Sequence, residues 1–139
     1  MNNKYIFNTW TLIDPDTENY SMIMKLIGMG VMERSVKIKD EIVTFSKRSN
    51  GDIALIIQSL LGRKIEILSK EPKSVLTYDE RGTVLKTVMI ENTDLLELEI
   101  WGNKRNIYTR KWTATPDQLI CVYSFKNHTA CRIYKPKSN

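Results

Sequence analysis

Apolar and polar residues alternate with a period of two along most of the chain, in short stretches divided by turn-forming residues. That is the pattern of half-buried antiparallel strands. It predicts strands over Tyr5–Ile13, Glu41–Lys47, Asp52–Leu60, Lys64–Ser69, Ser74–Asp79, Thr83–Ile90, Asp94–Trp101, Arg105–Thr113, Gln118–Phe125 and Thr129–Lys135. The breaks carry Asn50-Gly51, Arg81-Gly82, Asn92-Thr93-Asp94, Gly102-Asn103 and Thr115-Pro116-Asp117, all turn-favouring, so a meander of hairpins is the economical topology. One stretch departs from the pattern. Over Asn19–Ile27, residues Met22, Ile23, Leu26 and Ile27 recur at helical spacing, with Gly28 placed as a C-cap, and Gly30–Ile38 is a candidate second short helix. Two short helices thus sit between the first strand and the rest, and the many short sequential strands suit a barrel, whose closure removes exposed edges. The periodicity alone also admits a sandwich.

The chain has 139 residues, 42% of them hydrophobic and 27% charged, which suits one globular domain spanning 1–139 that needs no metal or disulfide to fold. Its first residues lack the apolar run and small-residue cleavage site of a leader, and no stretch is apolar enough to span a bilayer. A cytoplasmic location is the expectation. Cys121 and Cys131 alternate onto opposite faces, so both are read as free thiols. A net charge of +5 implies attraction to something anionic, whether nucleic acid, a lipid headgroup or a charged ligand.

The order of elements and a series of short motifs resemble the intracellular lipid-binding proteins, the family of fatty-acid-binding and cellular retinoid-binding proteins. The carriers are Asn8-Thr9-Trp10-Thr11-Leu12, Asn19-Tyr20, Lys25-Leu26-Ile27-Gly28-Met29-Gly30, Asn50-Gly51-Asp52, Trp101 followed by Arg110, and Arg132-Ile133-Tyr134. Departures are about two extra residues between Trp10 and Asn19, Ser21 where an acid is usual, a shortened hairpin from Asp52 to Glu66 and a lengthened one through Thr115-Pro116-Asp117. The resemblance implies a mostly β fold, a ten-stranded antiparallel up-and-down barrel with a two-helix lid between the first and second strands. It also implies a monomer that carries a long-chain fatty acid or similar apolar carboxylate, with a retinoid acid or bile acid as the alternative ligand. By position, Arg110, Arg132 and Tyr134 become the residues that grip the carboxylate.

Alternation puts Tyr108, Arg110 and Trp112 on one face of their strand, Cys121, Tyr123 and Phe125 on one face of the next, and His128, Ala130, Arg132 and Tyr134 on one face of the last. These faces are assigned to the interior. A guanidinium buried there needs an anion, and its planar donors suit a carboxylate, to which the Tyr134 hydroxyl adds a further hydrogen bond. The outward reading makes both arginines ordinary surface cations. Tyr20, Met24, Met29, Glu99, Tyr108, Trp112, Tyr123 and Ala130 are candidate cavity or lid residues. Glu97 and Glu99 share a face with Trp101; an interior placement sets them against Arg110 in a polar, water-linked network, an outward one makes them solvated charges. The basic residues Lys25, Arg34, Lys37 and Lys39 give the helical lid either a contact with anionic membranes or a solvated face.

With one histidine, no nucleophile elbow, no metal-ligand spacing and no phosphate-cradling glycine loop, the sequence offers no machinery for catalysis, a metal or a cofactor. The rival class is a nucleic-acid-binding β-barrel, suggested by the basic balance and by Trp101, Tyr108 and Trp112 near basic residues. It requires those rings to lie exposed.

Overall fold

The computed structural model describes residues 5–27, 40–60, 62–68, 74–78, 84–90, 95–102 and 105–137; residues 68, 74–78, 84–90, 95–102 and 105–107 are described by backbone alone. The elements run β1 (Thr9–Asp14), α1 (Thr17–Leu26), β2 (Ile42–Lys47), β3 (Ile53–Ser59), β4 (Gly62–Leu68) and β5 (Ser74–Tyr78). They continue with β6 (Val84–Ile90), β7 (Leu95–Gly102), β8 (Arg105–Ala114), β9 (Leu119–Phe125) and β10 (His128–Pro136). All pair antiparallel in one sheet of order β4-β3-β2-β1-β10-β9-β8-β7-β6-β5. The sheet curls into a β-barrel, bringing Cα atoms of its edge strands β4 and β5 within 8 Å of each other.

Sequential hairpins build the sheet. Gly51 (φ 94°) and Gly62 (φ 115°) supply left-handed backbone at two turns, where a side chain would be strained. β1 is shorter than the alternation predicts. Tyr5–Asn8 form turns instead, in which the Ile6 carbonyl accepts from Asn8 N at 2.8 Å and from the indole Nε1 of Trp10 at 3.1 Å. Trp10 is thereby locked, fully buried, at the start of the strand.

The helix buries two of the four apolar residues read at helical spacing, Ile23 and Ile27, and turns the other two outward. It buries Tyr20, Ile23, Met24 and the following Ile27, spaced i, i+3, i+4 and i+7, while Met22 and Leu26 are exposed. α1 packs on β10 and β9. Asp16 fixes its entry: in left-handed conformation (φ 47°), it accepts the β10 amide of Cys131 at 2.8 Å and the Asn19 side chain at 3.0 Å. The expected Gly28 cap, the second helix over Gly30–Ile38 and Met29 lie outside the described residues. Among those described, no helix is long and apolar enough to cross a membrane.

Candidate functional site

Three neighbouring strands place the candidate residues on the inner face of the sheet. On β8, Tyr108, Arg110, Trp112 and Ala114 are buried, whereas Lys111 and Thr113 are exposed. On β9 the buried residues are Leu119, Cys121 and Tyr123, and on β10 Ala130, Arg132 and Tyr134. Register aligns them in rungs. Arg110 pairs with Tyr123, which pairs with Ala130; Trp112 pairs with Cys121, which pairs with Arg132. The small Ala130 and Cys121 thus leave room beside the long guanidinium side chains. His128 and Phe125, assigned by parity to the same faces, lie at the hairpin end, His128 exposed and Phe125 partly buried.

Arg110 is 4% exposed and Arg132 fully buried, so each must find negative charge or π density. Arg110 Nη2 donates to Glu66 Oε1 at 2.7 Å, and Lys64 Nζ lies 3.5 Å from the other carboxylate oxygen. The Arg132 guanidinium sits 4.0 Å from the centre of the Tyr20 ring, a cation–π contact supplied by α1. Tyr134 donates its hydroxyl proton to Glu41 Oε1. Glu41 is in turn held to β1, its carbonyl accepting from Leu12 N at 2.9 Å.

The electrostatics follow from this packing. Burial presses the Arg110 guanidinium toward losing its proton, but Glu66, joined by Tyr108, Tyr123 and Cys121, turns the balance the other way and keeps the group charged. Arg132 is likewise kept charged against burial by Tyr134 and Glu41. Burial pushes Tyr20, Tyr123, Tyr134 and the Cys121 thiol well above their ordinary values, so they act here as neutral groups. Tyr20 and Tyr123 meet edge to face at 5.1 Å, Tyr108 and Tyr123 stack at 6.1 Å, and Trp112 touches Phe45 and Tyr134 at 5.3 and 5.8 Å. Among the described residues, Arg110 Nε, Trp112 Nε1, and the Nε and Nη1 atoms of Arg132 are buried donors with no hydrogen-bond acceptor.

Two acids of the site, Glu41 and Glu66, were not anticipated from sequence. The acids weighed instead, Glu97 and Glu99, hold register positions opposite Lys111 and Thr109, and their side chains lie outside the described residues. Glu41 carried a usable signal, since it shares parity with the apolar Val43 and Phe45. Glu66 carried the opposite one: Ile65 and Ile67 flank it, yet Ile65 is 51% exposed and Glu66 2%. Its pairing with fully buried Leu55 sets that inverted face. Met24, Tyr20 and the other candidates of α1, β8, β9 and β10 are all buried, while Met29 falls outside the described chain. No group of three or more potential metal ligands occurs among the described residues.

No family model matches the chain, and no curated protein does. Solved structures do. A Schistosoma mansoni fatty acid binding protein in complex with arachidonic acid superposes with a TM-score of 0.79 at 18% identity, covering 99% of this chain and 100% of that one. The Caenorhabditis elegans lipid binding protein 8 gives 0.77 at 12% identity, with 96% of each chain covered. The secretory abundant heat soluble protein 4 of Ramazzottius varieornatus gives 0.77 at 17% identity and 99% coverage of each. At such identities the likeness establishes the fold: the chain has the β-barrel fold of the fatty-acid-binding proteins.

Proposed function

We propose that this chain, built on the fold of the fatty-acid-binding proteins, is an intracellular lipid-binding protein that holds and transports one long-chain fatty acid or similar apolar carboxylate. In this reading the barrel is the closed ten-stranded form, completed by a second helix over Gly30–Ile38 that joins α1 as a lid. The protein works as a cytoplasmic monomer without catalysis, and the basic lid meets anionic membranes when ligand is exchanged.

One observation carries the reading. Arg110 Nε and Trp112 Nε1 are buried, acceptor-free donors on β8, on the inner face that also carries Arg132 two strands away. Leaving such donors unmatched is costly, and a carboxylate satisfies several at once. An apolar tail adds roughly 0.8 kcal/mol for each methylene it removes from water. The Tyr134 hydroxyl is committed to Glu41, so it reaches a ligand only by exchanging that partner. Burial of Tyr108 and Trp112 weighs against the nucleic-acid reading, which needs exposed rings.

Comparing Arg132→Ala with the parent on a fatty acid and its methyl ester tests this. Loss of charge-assisted hydrogen bonds weakens binding of the acid by roughly ten- to a hundredfold and of the ester far less. Equal loss for both ligands shows that Arg132 does not hold the head group.

A further inference from the structure

Trp10 and Trp112 are buried to the same degree, each at most 1% exposed, and an indole N–H so far from water ordinarily has an acceptor. Trp10 has one, the Ile6 carbonyl at 3.1 Å. Trp112 differs: its Nε1 meets no acceptor, although the rings of Phe45 and Tyr134 pack on the indole at 5.3 and 5.8 Å. Packing accounts for a ring at this position but not for an indole, since a phenylalanine packs there without stranding a donor. The other orphaned donor of the same strand is Arg110 Nε, two residues earlier on the inner face, whose guanidinium commits Nη2 to Glu66. Two groups that can only donate thus occupy successive inward positions of β8. Beside Trp112 in its rung stands the small Cys121, with Arg132 beyond it.

The residue that the family resemblance assigns as the neutral donor is Tyr134, but its hydroxyl proton goes to Glu41. Resting on the function proposed above, we infer that Trp112 is a ligand-binding residue: its indole N–H donates to one oxygen of the bound carboxylate and takes the neutral-donor role that Tyr134 leaves open. Arg110 Nε donates alongside it. An indole carries no charge, so it adds a directed hydrogen bond without altering the charge of the site. It also narrows the ligand. Neither donor can accept, so the head group must bring acceptor oxygens; a carboxylate brings two, and its negative charge makes each bond roughly twice as strong as one to a neutral carbonyl. Trp112 thereby favours an acid over its ester and orients the head group against β8. Tyr134 acts at one remove, packing on that ring and binding Glu41.

Proton–nitrogen NMR spectra of the delipidated full chain, titrated with oleate and with methyl oleate, read the indole directly; the Trp112 signal is the one with through-space contacts to the Phe45 and Tyr134 rings. The expected result is a downfield move of the Trp112 indole proton, larger with oleate than with methyl oleate, while the Trp10 signal, already bonded to Ile6, stays in place. Trp112→Phe, which keeps a ring at the position, loses about ten- to a hundredfold in oleate affinity and far less in methyl oleate affinity, whereas Tyr134→Phe changes the ratio of the two by less than about twofold. Saturating oleate without that downfield move, equal losses for acid and ester in Trp112→Phe, or a selective loss as large in Tyr134→Phe overturns this inference and leaves the proposed function standing. Absence of oleate binding by the unaltered chain overturns the proposed function, and the inference falls with it. The spectra of the unaltered chain decide the matter even if Trp112→Phe fails to fold.

Discussion

At the level of single residues, the pair Arg110–Glu66 ties β8 to β4 across the interior with a 2.7 Å contact between groups that are both nearly inaccessible to water. Removing one member leaves the other charged and buried. Arg110→Met should cost about 3–5 kcal/mol in urea unfolding, and adding Glu66→Met to it should restore most of that loss, since an apolar pair of similar volume is often as stable as a buried ion pair. If the double variant is no more stable than the single one, Glu66 is stabilised by something other than Arg110. This pair also marks the limit of what the sequence discloses. The inward turn of Arg110 is legible because it alternates with polar Thr109 and exposed Lys111, whereas Arg132 lies between the partly buried apolar Cys131 and Ile133, and for it and Tyr134 the family resemblance carries the reading. That of Glu66 is not legible, because its cause is not local: the β3–β4 register places it opposite Leu55, and the charge that compensates it comes from a strand 44 residues away.

Elements repeat the contrast. Strand positions follow from alternation and turn residues, and the described strands fall within a few residues of the expected ones, β1 being the exception. Its predicted first residues turn instead because the Ile6 carbonyl is used by the Trp10 indole. In α1, the apolar residues at helical spacing are Met22, Ile23, Leu26 and Ile27, of which Ile23 and Ile27 are buried and Met22 and Leu26 exposed. Packing on β10 selects Tyr20, Ile23, Met24 and Ile27, since Tyr20 is the ring that covers Arg132. Asp16 decides how the helix meets that strand. Asp16→Ala removes the acceptor of the Cys131 amide and should cost about 1–3 kcal/mol. Hydrogen exchange checks it: amides of α1 lose protection before those of β9 and β10. Uniform loss across the sheet would mean that Asp16 does not anchor the helix in particular.

For the molecule as a whole, the core combines stacked and edge-on rings with two buried arginines and two buried carboxylates, and its tyrosines set an alkaline limit. Tyr20, Tyr123 and Tyr134 have their values raised by burial above the ordinary 10 of an unfolded chain, so above that pH the unfolded state releases protons that the folded state keeps. Their stabilising contribution is complete below about pH 10 and is lost as pH rises beyond it. Tyrosine absorbance followed against pH should show these groups ionising only together with loss of the fold; independent ionisation in a folded protein contradicts their burial. The barrel is the part of the account that periodicity makes readable, and what it encloses depends on contacts between distant strands. That question is settled most directly by native mass spectrometry of the full chain, first as purified from its host and then after delipidation and exposure to a fatty acid. The account predicts one apolar, carboxylate-bearing molecule per chain in both cases. A chain that carries nothing and takes up nothing contradicts it.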